Sequence, residues 1–161
     1  MKENSHLPIF GIGPFLVAGM VIVAAATVVI FCYVCKIGTC SGLPAVLFCA
    51  VGIVVTITGI VIWFNGAMRS DMDENIKENR LKTNGIYAWV RNPMYSGLWF
   101  LISGVSLMWH NVFLIPVIFI NWCMMTVVLK NTEEKWLRDL YGQEYEDYCK
   151  RVNRCIPWKR G

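Results

Sequence analysis

The residues best suited to bind a ligand or take part in a reaction lie in two polar segments, each beside an apolar run. The first reads RNPMYSG, from Arg91 to Gly97, and the second reads NTEEKW and contains Glu133 and Glu134. A guanidinium and the free N–H groups of a helix start attract negative groups, whereas carboxylates accept hydrogen bonds from cations and hydroxyls. We expect function to reside where an otherwise apolar chain keeps such groups.

The first segment is predicted to start a helix. Asparagine is a favoured N-cap and proline a favoured first helical residue, so the helix should begin at Asn92-Pro93 with the Asn92 side chain as its cap. Gly97, one turn later, would let another group approach closely. TNGIY predicts a turn at Asn84-Gly85 that brings Tyr87 back to the same place. The plainer alternative is a helix start within an interfacial aromatic belt of Tyr87, Trp89, Tyr95 and Trp99.

The second segment places two carboxylates at the end of an apolar run. Neighbouring helical residues diverge by ~100°, so at least one of Glu133 and Glu134 should turn toward the RNP helix start, because an unpaired carboxylate beside hydrocarbon is costly. The alternative is that both simply favour a helix amino terminus. The residues that follow have the spacing of an amphipathic helix, which Gly142 can divide into two pieces.

The elements that must position these residues are membrane helices. The 161-residue chain is 56% hydrophobic, has a mean hydropathy of +0.48, and contains long blocks without charge. A ~30 Å hydrocarbon core needs ~20 helical residues. We predict an all-α integral membrane protein with about four transmembrane helices, the last two a short hairpin, and a cytosolic amphipathic C-terminal helix. The predicted parts of this single membrane domain, 1–161, are span one at 9–35, span two at 43–68, a cytosolic loop at 69–92, the hairpin at 93–129 and the C-terminal helix at 130–161.

Charge placement predicts the orientation of the chain. Of the 15 Lys and Arg residues, five lie between spans two and three and eight follow span four, whereas one, Lys36, lies in the first loop. The positive-inside rule therefore puts both termini in the cytosol. The net charge of +4 then belongs to a membrane surface, and no nucleic-acid partner is expected. Cys32 and Cys35 have metal-like spacing but no second ligand pair, so we expect no metal site.

The chain resembles the isoprenylcysteine carboxyl methyltransferase and phospholipid methyltransferase superfamily, on the run LKTNGIYAWVRNPMYSG, a hairpin, and NTEEKWLRDLYGQEYEDYCKRV. Asn92 stands where that pattern commonly has His. The positions that fit the pattern are Leu81, Thr83, Gly85, Tyr87, Arg91, Pro93, Tyr95 and Gly97, followed by Glu133, Glu134, Leu137, Gly142, Tyr145 and Tyr148.

The resemblance implies S-adenosylmethionine bound at the cytosolic interface without a Rossmann domain, and a membrane lipid or lipidated acceptor. It assigns catalytic roles to Glu134, Arg91 and Tyr87. The cofactor-binding residues it implies are Gly85, Tyr87, Arg91, Asn92, Pro93, Tyr95, Gly97, Glu133 and Glu134.

Two other classes of protein remain as alternatives. One is a sterol-reductase-like membrane enzyme that binds NADPH, because such enzymes have a similar R-H-P-x-Y segment. The other is a non-catalytic membrane scaffold or small transporter. Within the methyltransferase hypothesis, the acceptor group (carboxylate, amine or thiol) and the oligomeric state stay open.

Overall fold

The computed structural model describes residues 12–68 and 81–157, and these are helical apart from turns and two isolated β-bridges. A π-helical segment, Val29–Val34, continues the first helix. Short 3-10 helices, Gly85–Ala88 and Val112–Leu114, precede the third and fourth α-helices. Residues 69–80 of the predicted cytosolic loop lie outside the described residues. The α-helices are α1 (Gly13–Val28), α2 (Leu43–Met68), α3 (Pro93–Leu107), α4 (Ile115–Asn131), α5 (Glu133–Tyr141) and α6 (Gln143–Arg151).

Three helical stretches among the described residues are long and apolar enough to cross a membrane: Gly13–Val34, Leu43–Ala67 and Val112–Tyr141. This supports the predicted all-α membrane architecture. Helix α3 has 15 residues, which at ~1.5 Å per residue is roughly 22 Å, less than the ~30 Å of a hydrocarbon core. Length alone therefore supports three crossings.

Helices α2 and α3 pack against each other, antiparallel, along a seam of glycines. A Cβ placed on Gly97 would lie 2.5 Å from the backbone N of Trp63, and one on Gly104 would lie 2.5 Å from the backbone N of Thr56. Gly59 approaches α3 equally closely, with a Cβ that would lie 2.6 Å from the N of Leu101. Small residues permit such close approach in lipid, where packing rather than the hydrophobic effect holds helices together. The sequence predicted that Gly97 would let another group approach closely, and in the structure that group is α2.

Helices α1 and α4 cover the other side of α3. The Asn121 side chain on α4 donates to the backbone O of Met20 on α1, at 3.3 Å. Gly13, the first residue of α1, lies against the Tyr95 ring at the start of α3. The buried residues that α1, α3, α4 and the tail share are Leu16, Met20, Trp99, Met125, Leu129 and Cys155.

The helices alternate in direction, so their ends collect at two levels. At one level Asn111 is fully buried and donates to the backbone O of Ile37 at 2.7 Å, tying the α3–α4 turn to the α1–α2 loop. At the other level the starts of α1 and α3 meet the ends of α2 and α4. We call this second level the site end, because both polar segments, Arg91–Gly97 and the one that contains Glu133 and Glu134, lie at or near it.

The predicted amphipathic tail is two short helices separated at Gly142, whose φ of +55° favours glycine. Helix α6 turns back over the 3-10 helix Gly85–Ala88, where the Tyr148 hydroxyl donates to the backbone O of Tyr87 at 2.6 Å. Tyr145, Tyr148 and Val152 are buried there in a small apolar cluster with Leu81 and Leu137.

Candidate active site

The site end is closed by the chain that follows α6. The backbone N of Arg91 donates to the O of Asn153 at 2.9 Å, and the N of Asn92 donates to the O of Arg154 at 3.1 Å. These bonds hold residues 153–155 against the start of α3. The tail therefore forms one wall of the site.

Glu134 is the centre of the polar cluster. It is fully buried, and Arg154 binds it with both ends of its fork, from Nε to Oε1 at 2.7 Å and from Nη2 to Oε2 at 2.8 Å. Arg91 Nη2 lies 3.5 Å from Oε1, and Asn92 Nδ2 donates to Oε1 at 3.4 Å. A buried carboxylate needs such partners. Here Arg91 and Asn92 precede the α3–α4 hairpin in the sequence, and Arg154 follows it.

Arg91 lies between Glu134 and α6. Its side chain is 8% exposed, its Nη1 donates to the sulfur of Cys149, and its guanidinium carbon lies 6.0 Å from the centre of the Tyr145 ring. Its Nε is buried and has no hydrogen-bond partner among the described residues. Burial raises the pKa of the Tyr145 hydroxyl above its ordinary value, so that ring stays neutral beside the guanidinium.

Glu133 has different surroundings from its neighbour. It accepts a hydrogen bond from the Tyr95 hydroxyl and is partly exposed. Its negative charge acts on Tyr87, whose pKa is raised mainly by burial and further by Glu133. The Lys82 ammonium lies 5.6 Å from the centre of the Tyr87 ring. Both predicted carboxylates thus face the start of α3, but only Glu134 is enclosed.

The predicted capping role of Asn92 is wrong in its detail. Asn92 does occupy the N-cap position, but its side chain makes no capping bond. Its Nδ2 donates instead to the Arg154 carbonyl at 3.3 Å and to Glu134. The tail turns the amide away from the helix, because a buried carbonyl and carboxylate there need a donor.

The remaining predicted site residues have mixed positions. Pro93 is buried against Gly66 of α2. Gly85 has a φ of +61°, and a Cβ added to it would meet nothing within 4 Å, as suits a surface turn. Gly97 faces α2, as described above. The structure therefore brings Tyr87, Arg91, Asn92, Tyr95, Glu133 and Glu134 to the site end, and it places Gly97 in the helix seam.

Sequence reasoning missed Arg154. It stands 20 residues beyond Glu134 in a stretch that fits no motif, and only the fold of the tail brings it to the carboxylate.

Two adjoining cavities border the cluster. The first has a volume of about 480 Å³. The second has a volume of about 380 Å³ and an almost wholly apolar wall on α3 and α4. Both linings include Trp122 and Ile156, so the two cavities lie next to each other. The first is lined by Arg91, Trp122, Thr126, Asn153, Arg154, Cys155 and Ile156, and the second by Trp99, Ile115, Ile118, Phe119, Trp122 and Ile156.

Comparison with known proteins places the chain in a family. The sequence model of the phospholipid methyltransferase family matches residues 40–144, well over half of the chain. The chain belongs to the phospholipid methyltransferase family. No solved structure matches it.

Named relatives of this phospholipid methyltransferase family member are methyltransferases. It is 32% identical over 88 residues to protein-S-isoprenylcysteine O-methyltransferase of Tribolium castaneum, covering 55% of this chain and 31% of the relative. The Schizosaccharomyces pombe protein of the same name is 35% identical over 88 residues, 50% of this chain and 34% of the relative. Methanethiol S-methyltransferase 1 of Bradyrhizobium diazoefficiens is 33% identical over 81 residues, 50% of this chain and 27% of the relative. The match thus spans about a third of the length of these relatives.

Within the phospholipid methyltransferase match lie Arg91, Asn92, Glu133 and Glu134, whereas Arg154 lies beyond its last matched residue. The cluster therefore joins residues of the family match to a residue outside it.

Proposed function

We propose that this protein transfers a methyl group from S-adenosylmethionine to a lipid or lipidated acceptor at the cytosolic face of a membrane. The observation that carries the proposal is the meeting of the two polar segments at one end of the helices, with Glu133 against Tyr95 and Glu134 against Arg91. Membership of the phospholipid methyltransferase family and the names of the relatives support methyl transfer as the reaction.

The proposed topology has four crossings with both termini in the cytosol. Helices α1, α2 and α4 lie in the three stretches that are long enough to span. Helix α3 is the proposed fourth crossing, because its close packing on α2 and its cover by α1 and α4 shield a short helix from lipid. The Lys and Arg distribution supports a site end at the cytosolic face.

The residues at the site end suit the proposed cofactor, which supplies an activated methyl group on a sulfonium. Glu133 is the carboxylate we assign to its ammonium or ribose hydroxyls, because the two oxygens of Glu134 are already bound by Arg154. The Tyr87 and Tyr95 rings can stack on an adenine or face a cation. Arg91, whose Nε has no partner among residues 12–68 and 81–157, can donate to a carboxylate.

Methyl transfer is an in-line displacement, so the protein acts chiefly by holding the reacting groups in place and excluding water. We assign this positioning to Arg91 and Tyr87. Glu134 fixes Arg91 and Asn92, and in this proposal it acts through them. A carboxylate or thiolate acceptor needs no base, whereas a protonated amine must first lose a proton.

Binding experiments test the proposal directly. The full chain in detergent should bind S-adenosylhomocysteine, and binding should weaken by roughly 10–150-fold in Glu133→Gln, the range for losing a hydrogen bond to a charged group. Glu144→Gln is the matched control, since it removes an exposed carboxylate from α6. Binding of NADPH in place of S-adenosylhomocysteine, or equal affinity in both variants, would contradict the assignment.

The topology has its own test. A cysteine introduced by Asn75→Cys, within the predicted cytosolic loop, should react with an impermeant maleimide from the cytosolic side. Cys35 and Cys40 lie in or beside the predicted outer loop, so the signal is the reaction gained over the parent chain. A gain from the outer side would reverse the proposed orientation.

A further inference from the structure

Cys149 lies where the site end meets the tail helices. It is partly exposed on α6, and its sulfur accepts a hydrogen bond from Nη1 of Arg91. Tyr145 stands one helical turn earlier on the same face of α6, and the guanidinium carbon lies 6.0 Å from the centre of its ring. A sulfur, a guanidinium and a phenol therefore form one small cluster close to the carboxylate of Glu134.

The hydroxyl of Tyr145 is an unused donor in this cluster. Tyr145 is 1% exposed, and its hydroxyl has no hydrogen-bond partner among residues 12–68 and 81–157. Burial raises the pKa of this hydroxyl, and the charge of Glu134 and the nearby Cys149 sulfur add to the rise, so the phenol keeps its proton beside the sulfur. Buried polar groups in native proteins are nearly always satisfied, so the hydroxyl indicates a missing acceptor next to Cys149.

An oxygen atom on the Cys149 sulfur would supply that acceptor. A thiol is a weak acceptor, whereas a sulfenate carries its negative charge on an oxygen and accepts charge-assisted hydrogen bonds. That oxygen would stand one bond from the sulfur that Arg91 already contacts, beside the hydroxyl of Tyr145. Electropositive, partly exposed surroundings are those in which cysteines are oxidised.

We propose that Cys149 is a site of reversible oxidation by hydrogen peroxide, with the oxygen of its sulfenate held by Nη1 of Arg91 and the hydroxyl of Tyr145. The sulfur attacks one peroxide oxygen, so that an S–O bond forms and the O–O bond breaks. The departing hydroxide takes the thiol proton and leaves as water, while the sulfur loses the two electrons that the peroxide gains. A dithiol reverses the step, because the oxygen leaves as water and the dithiol becomes a disulfide.

The oxidised cysteine acts on the site through Arg91. This guanidinium is shared between the Cys149 sulfur and Oε1 of Glu134, which Nη2 contacts loosely at 3.5 Å. A sulfenate is a stronger acceptor than a thiol and draws Arg91 toward α6, away from the ligand at the site end. This consequence rests on the proposed function, in which Arg91 donates to the cofactor, whereas the oxidation itself does not.

Site-resolved labelling tests the oxidation. The full chain in detergent is treated with a low concentration of hydrogen peroxide and saturating dimedone, which adds to sulfenic acids, and the labelled peptides are measured by mass spectrometry. The chain has seven cysteines, so the other six serve as internal references. We expect Cys149 to be labelled first and Cys155, which is 2% exposed, to stay unlabelled. Equal labelling of Cys149 and Cys40, which is also partly exposed, would overturn the proposal.

Tyr145→Phe tests the group that holds the oxygen. It removes only the hydroxyl and should slow labelling of Cys149 by roughly 2–10-fold, the range for one ordinary hydrogen bond. Tyr141→Phe is the matched control, because it removes a hydroxyl from the same apolar cluster where the neighbouring charge is that of Glu144. Equal labelling rates in the two variants would refute the role of Tyr145. If Tyr145→Phe fails to fold, the comparison among the cysteines of the parent chain still decides the proposal.

Binding of S-adenosylhomocysteine tests the consequence for the site. After peroxide treatment the parent chain should bind it roughly 10-fold or more weakly, and dithiothreitol should restore the affinity. Cys149→Ser, compared with its own untreated sample, should keep its affinity. This variant also controls for the eight methionines, whose oxidation a dithiol does not reverse. An equal loss in the parent and in Cys149→Ser would overturn the link through Arg91.

The outcomes distinguish this inference from the proposed function. Preferential labelling of Cys149 in a chain that binds no S-adenosylhomocysteine would sustain the oxidation site and refute the methyltransferase. Binding of S-adenosylhomocysteine without preferential labelling of Cys149 would sustain the methyltransferase and refute the oxidation site.

Discussion

Replacing Glu134 by Gln should destabilise the fold far more than replacing its neighbour Glu133. Glu134 is fully buried and is bound by both ends of the Arg154 guanidinium. Arg91, with a side chain that is 8% exposed, shares it at 3.5 Å. Gln keeps the shape but not the charge, so two arginines at the site end lose their counter-ion.

Breaking a buried ion pair by removing one partner typically costs 3–5 kcal/mol, because a charge is left buried without compensation. We therefore expect about 3–5 kcal/mol for Glu134→Gln, or roughly 6–20 °C in Tm for a chain of this size. Glu133→Gln should cost about 1 kcal/mol or less. Its partner is the neutral Tyr95 hydroxyl, from which a Gln side-chain carbonyl can still accept a hydrogen bond.

The assay is a melting curve of each purified variant in the same detergent, followed by circular dichroism. The single variant Arg154→Gln and the double variant Glu134→Gln/Arg154→Gln complete a double-mutant cycle for this ion pair. Neutralising both partners should restore part of the loss, with a coupling energy of about 0.5–3 kcal/mol. Equal stability of Glu134→Gln and Glu133→Gln, or no coupling between Glu134 and Arg154 in the cycle, would refute the view that Glu134 anchors the site.

Three further predictions concern other parts of the molecule. Asn92→Asp should melt at a lower temperature than Asn92→Ala, because an acid at this position would face the carboxylate of Glu134. If the residue-92 side chain instead capped α3, Asn92→Asp would be the more stable of the two. Melting curves of both variants decide between these expectations. Gly97→Ala should lose about 1–3 kcal/mol by overpacking the helix seam, while Gly19→Ala, whose added Cβ would meet a side chain at an ordinary 3.7 Å, should be tolerated; a similar Tm for both would contradict the seam. Burial raises the pKa of the Cys155 thiol from 9.0 to about 12, so between these two pH values the folded state keeps a proton that the unfolded state loses. Stability should therefore fall as the pH rises above about 9. In a plot of Tm against pH, Cys155→Ala should make this decline shallower.

The sequence by itself determined the class of protein and singled out the two polar segments that meet at the site end. Long uncharged blocks predict membrane helices because hydropathy and helix length are local properties, and the start of α3 at Pro93 follows from local backbone preference. The expectation that a carboxylate of the Glu133–Glu134 pair faces the RNP segment also came from local geometry and the cost of an unpaired charge. The family pattern then linked the two segments. Which of their residues contact the cofactor stays a prediction.

The tertiary structure decided which partners these residues have. Asn92 caps no helix, because residues 153–154 place a carbonyl and an ion pair beside it. Gly97 lets α3 pack closely against α2, and this role exists only because the two helices lie side by side. Arg154 reaches Glu134 only because the tail turns back at Gly142 and pairs with the start of α3. Such pairings join residues 20 to 62 positions apart, so no local pattern encodes them, and packing of the whole chain selects them.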